Sequence, residues 1–136
     1  MNRLSIFLIS NNQLYADSLA SIIVNEGQHQ VFQFHEDDDF WRHISLGPDL
    51  IILDVPAGNS AKNFSQLTGR KKGIPLLIIS RNDQKRSKVD GVSKSKNKVL
   101  RKGAFSDRQF YDAILELTNQ YSFKEKFRQI LKRKSS

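Results

Sequence analysis

Three residues of complementary chemistry stand at the ends of apolar runs. Asp54 closes Leu50-Ile51-Ile52-Leu53, Ser80 closes Leu76-Leu77-Ile78-Ile79, and Lys102 follows Val99-Leu100-Arg101. A carboxylate ending a wholly apolar run is a poor core residue and a good nucleophile or metal ligand. A hydroxyl and an ammonium beside it can receive and hold a phosphoryl group. Taken singly, each has a plain structural use: Asp54 can cap a loop, Ser80 a turn, and Lys102 can be a surface lysine. Their joint placement favours the chemical use, provided the fold brings the three ends together. A fourth run, Leu4-Ser5-Ile6-Phe7-Leu8-Ile9, leads into Ser10-Asn11-Asn12, which offers hydroxyl and amide groups but no carboxylate.

The elements that must position these groups follow from the hydropathy pattern. The runs at 4–9, 49–55, 74–80 and 99–101 read as buried strands, and Val31, Phe32 and Phe34 mark another within His29–His35. Between them lie helix signals. Leu14, Leu19, Ile22 and Ile23 recur at helical spacing until Glu26-Gly27. Glu36-Asp37-Asp38-Asp39 opens a second helix carrying Phe40, Trp41 and Ile44 and ended by Gly47-Pro48. Residues 60–72 form a weaker helix anchored by Phe64 and Leu67. Ser106 with Gln109 is a capping box, and Phe110, Ile114, Leu117 and Tyr121 continue the strongest helix of the chain. Strands alternating with helices in this way predict an α/β fold: a doubly wound, five-stranded parallel sheet in the flavodoxin-like order 2-1-3-4-5, with helices on both faces. In that fold ligands gather at the carboxyl ends of the strands, where Ser10, Asn11, Asp54, Ser80 and Lys102 fall.

Composition excludes several functions. With 136 residues and no Cys, the chain is one domain that needs no staple, and disulfide frameworks, Cys-ligated zinc and thiol nucleophiles are ruled out. There is no glycine-rich phosphate loop, no Ser/His/Asp spacing and no metal-ligand cluster, so an enzyme is not expected. His29, His35 and His43 share no ligand spacing and are expected at the surface or at strand edges. No apolar run reaches the roughly 18 residues of a membrane span, and no cleavage signal follows the first strand, so the expected location is the cytoplasm. The net charge of +8 is uneven: residues 1–69 carry three basic and eight acidic side chains, residues 70–136 nineteen and six. Residues 81–98 hold seven of those basic groups and almost no apolar periodicity, and are expected to be the most mobile internal stretch.

On these residues the chain resembles the receiver domain of bacterial two-component response regulators. Leu50–Asp54, Leu76–Ser80 and Val99–Lys102 carry the resemblance, with 22 residues from Ser80 to Lys102, and Asn12–Leu19 looks like the family's first helix entrance. It covers roughly residues 3–121, which gives a receiver-like domain at 1–121 and a basic helical extension or linker at 122–136. The resemblance implies that Asp54 matches the phosphate-accepting aspartate, Ser80 the Ser/Thr that tracks phosphorylation, and Lys102 the lysine that contacts the phosphoryl group. It also implies an acidic pair after the first strand that binds Mg²⁺. Here Ser10 and Asn11, or Asn11 and Asn12, take those positions, and without that pair a hard divalent cation is poorly held. The loop after Asp54 lacks the usual Met-Pro-Gly order, and Val99 stands where receivers often place a switch aromatic.

The expected function is therefore a regulatory module acting through protein–protein contact, without Mg²⁺-dependent phosphorylation of an aspartate. The alternatives are a phosphorylation-competent receiver that takes phosphate on Asp54 from a histidine kinase with the help of Mg²⁺, and a basic nucleic-acid-binding protein. The expected partner is a protein: a histidine kinase, an output domain, another regulator or a second copy of the chain. Nucleic acid would enter only through an output domain or the basic C-terminal half. No cofactor and no membrane contact are expected.

Overall fold

The computed structural model describes residues 3–35, 40–54, 74–81 and 97–119. The chain runs β1 (Ser5–Ser10), α1 (Gln13–Glu26), β2 (Gln30–Phe34), a 3₁₀ helix (Phe40–Leu46), β3 (Leu50–Asp54), β4 (Leu76–Ser80), β5 (Asn97–Arg101) and α2 (Asp107–Leu117). All strand pairs are parallel and the order is β2-β1-β3-β4-β5. The doubly wound order expected from the alternating pattern is thus the one observed.

The central strands are apolar on both sides because both sides are covered. Along β1, Leu4, Ile6 and Leu8 join one core, while Phe7 and Ile9 join another on the opposite face. Leu50 and Ile52 of β3 divide in the same way from Ile51 and Leu53. The first core is closed by Ala16, Leu19 and Ile23 of α1 and by Phe110, Ile114 and Leu117 of α2. On the other face Phe7 packs edge-on against Phe32 at 5.9 Å and tilted against Phe34 at 4.9 Å. The 3₁₀ helix lays His43 over Phe34.

Both described α-helices begin as their sequences dictate. Asn12 precedes α1 in an extended conformation and its side chain accepts the Tyr15 N–H. Ser106 and Gln109 make the expected reciprocal pair: the Ser106 hydroxyl accepts the Gln109 N–H at 3.1 Å, and the Gln109 carbonyl accepts the Ser106 N–H at 2.8 Å. Replacing Ser106 with alanine leaves the Gln109 amide without its cap. Chemical denaturation is expected to register a loss of about 1 kcal/mol. An unchanged midpoint would mean that solvent caps this helix equally well.

Three expectations need correction. The segment at 40–46 is 3₁₀, not α, and Gly47 follows it at φ +68°, a left-handed conformation that ends the helix. β5 begins at Asn97, two residues earlier than the apolar run suggests, because an edge strand tolerates polar residues at its start. His29 is neither exposed nor at a solvated edge; it is 7% exposed beneath α2. The helix at 60–72, the loop after Asp54, most of the basic stretch at 81–98, Tyr121 and the extension at 122–136 lie outside the described residues.

Candidate functional site

The parallel register does the positioning. Ser10 of β1 is the direct partner of Asp54 on β3, and Ser80 of β4 is the partner of Arg101 on β5. All the strands therefore end on one edge, and Lys102 leaves β5 there with its N–H donated to the Ser80 carbonyl at 2.8 Å.

Asp54 is completely buried. A buried carboxylate is costly unless donors and cations surround it. Two residues answer that need. The Ser10 hydroxyl donates to Asp54 Oδ2 at 2.8 Å, and Lys102 Nζ lies 3.6 Å from Oδ1. The second separation is an ion pair but too long for a hydrogen bond. Oδ1 accepts no hydrogen bond from the described residues.

Lys102 is held by a second group as well. Its ammonium lies 3.9 Å from the centroid of the Tyr15 ring, close enough for a cation–π contact. Burial first, and the Asp54 carboxylate second, push the Tyr15 phenol above its ordinary pKa, so the ring stays neutral at physiological pH. The Asn12 N–H donates to the Ser10 hydroxyl at 3.1 Å. The contacts close into a ring: Asp54 to Ser10, Ser10 to Asn12, Asn12 to Tyr15 through the helix cap, Tyr15 to Lys102, and Lys102 back to Asp54.

Of the residues expected at the site, Ser10, Asp54 and Lys102 are brought into contact. Ser80 contributes its backbone carbonyl. Asn11 follows Ser10 directly and is half-buried. Tyr15 and the capping role of Asn12 were not foreseen. An Asn just before a helix is an N-cap signal, and an aromatic three residues on, in the first helical turn, lies where the strands end. Among the described residues no group of three or more His, Asp or Glu side chains could hold a metal ion.

No family model and no curated protein matches this sequence. Solved structures do. The signal receiver domain of a histidine kinase from Syntrophus aciditrophicus is 19% identical, with a TM-score of 0.68 over 88% of this chain and 93% of that one. A signal receiver domain of a two-component histidine kinase from Clostridium thermocellum is 14% identical, with a TM-score of 0.69 over 85% and 97%. NtrX from Brucella abortus is 14% identical, with a TM-score of 0.72 over 97% of this chain but only 29% of NtrX. At such identities the likeness is one of fold: this chain has the fold of a signal receiver domain.

Proposed function

We propose that the chain is a signalling module of receiver type that acts by contact with another protein and does not depend on Mg²⁺-assisted phosphorylation of Asp54. The observation that carries this reading is the hydroxyl of Ser10. It donates to Asp54 from the strand end where the resemblance places an acid. Mg²⁺ is held through anionic oxygens in near-octahedral array. Here one carboxylate oxygen is taken by Ser10 and the other faces an ammonium at 3.6 Å. That donor set does not fit the ion. Lys102 places a positive charge beside Asp54 from within the chain. A partner then reads the shape of this strand-end surface rather than a change of charge upon it.

Oδ1 of Asp54, which accepts no hydrogen bond from the described residues, favours a second reading, in which that oxygen accepts a phosphoryl group from a histidine kinase. One experiment separates the two. The protein is incubated with acetyl phosphate and Mg²⁺ and weighed intact, and a parallel sample receives beryllofluoride and is followed by the amide resonances around Asp54. No mass gain and no shift are expected, and Mg²⁺ alone is expected to show no saturable binding in the low-millimolar range. A gain of one phosphoryl group that disappears in Asp54→Asn would establish the second reading in place of the first.

A further inference from the structure

His29 lies at the opposite end of the sheet from Asp54, just ahead of β2, where Leu4 leads into β1 and α2 passes overhead. The Leu4 N–H donates to its Nδ1 at 3.1 Å, and its Nε2 is 2.7 Å from the Tyr111 hydroxyl of α2. The first contact requires a lone pair on Nδ1. The neutral imidazole therefore carries its proton on Nε2 and donates it to Tyr111. Gly27 permits this approach: a Cβ there would lie 2.5 Å from Nε2 and 2.9 Å from the Tyr111 hydroxyl.

We propose that His29 is a protonation-controlled fastener, whose neutral form holds α2 to the leading ends of β1 and β2 and whose protonated form lets α2 go. A proton added at Nδ1 sets two N–H donors against each other across 3.1 Å and cancels the bond to Leu4. It also places a positive charge in a nearly closed site. Among the described residues no carboxylate there compensates. β1 brings the Leu4 amide, the end of α1 the Gly27 backbone, and α2 the Tyr111 phenol, which among the described residues is the one titratable side chain recorded in contact with the ring. The flanking residues of His29 are Gln28 and Gln30. The charged side chains on the packed elements include Arg3, Glu26 and Asp49, all exposed, and on α2 Asp107, Arg108, Asp112 and Glu116; Asp49 accepts the Ser5 N–H, Arg108 pairs with Asp112, and Glu116 pairs with Lys98.

Burial lowers the imidazole below its ordinary value near 6.5. The sign follows. A group whose pKa is depressed by folding contributes its full stabilisation above the unfolded value and loses it as pH falls through that value toward the folded one. Release of α2 is thus an acid response. In sequence α2 precedes residues 120–136, which carry six basic side chains.

The test is amide hydrogen exchange of the whole chain at pH 7.5 and 5.5, corrected for intrinsic rates, together with ¹⁵N shifts of the His29 ring. The ring is expected to show the Nε2–H tautomer at pH 7.5. Protection of the α2 amides at 110–117 is expected to fall by up to about tenfold at pH 5.5 relative to those of β3, the limit set by one proton and an unfolded pKa near 6.5. His29→Gln, which keeps a neutral donor and acceptor, is expected to flatten that difference. An equal fall in α2 and β3, the same fall in His29→Gln, or a ring that protonates at or above 6.5 in the folded protein would each overturn the proposal. Should His29→Gln not fold, the wild-type ring and the α2 amides must still titrate together, and separate titrations overturn it.

Discussion

Lys102→Met is expected to destabilise the protein by about 3 kcal/mol or more, read as a shift of the urea midpoint at neutral pH. The substitution keeps the length of the stem and removes only the charge. Among the described residues it leaves Asp54, which has no exposure to water, with a single hydroxyl donor and no cation. Removing one member of a buried pair costs about 3–5 kcal/mol because the remaining charge is stranded. The reverse substitution is not symmetrical. Asp54→Asn leaves an amide whose oxygen still accepts from Ser10, and the Lys102 side chain, 25% exposed, can turn its ammonium to solvent. Its cost is expected to stay below about 1 kcal/mol, in line with a partly exposed pair. Equal losses in the two variants would show that Lys102 is as enclosed as its partner.

Gly27→Ala is expected to cost about 2–4 kcal/mol. The backbone at Gly27 is extended, with φ −164°, so a side chain there meets no conformational penalty. The cost is steric. The new methyl would lie inside the contact between His29 and Tyr111, and neither ring can retreat without losing their 2.7 Å hydrogen bond. Overpacking of a tight site costs about 1–3 kcal/mol, and a buried hydrogen bond adds about 1 kcal/mol. Thermal denaturation of Gly27→Ala, with Tyr111→Phe as a companion that loses the bond without adding volume, separates the two contributions. A Gly27→Ala loss no larger than that of Tyr111→Phe would mean the rings give way freely.

The parts of this molecule that were legible in the sequence are those governed by local composition. β1, β3 and β4 are uninterrupted apolar runs because each is covered on both faces, and their order along the chain fixes where Ser10, Asp54 and Lys102 fall. Ser106 and Gln109 announce their helix through a contact three residues apart. What escaped notice depends on distance. His29 is an isolated polar residue in a stretch of glutamines, and its partners lie 25 and 82 residues away. Nothing near it in sequence distinguishes a buried histidine from an exposed one. Tyr15 reads as an ordinary helix residue until β5 delivers Lys102 over its ring. The start of β5 was hidden because Asn97 and Lys98 carry no apolar signal at a sheet edge.

The ring around Asp54 also has a kinetic meaning. Its members come from β1, from the first turn of α1, from β3 and from the turn after β5; Ser10 and Asp54 are 44 residues apart, and Lys102 lies a further 48 along the chain. In the sheet order, β5 reaches β3 only across β4. Local helices close early and contacts of long separation close late, since the chain must lose its loop entropy before such contacts return anything. On that argument the ring is expected to be complete only when the last strand has docked. On the proposed function, a partner that reads the strand-end surface would meet it only after the whole sheet is in place, so that its recognition would double as a check that folding has ended.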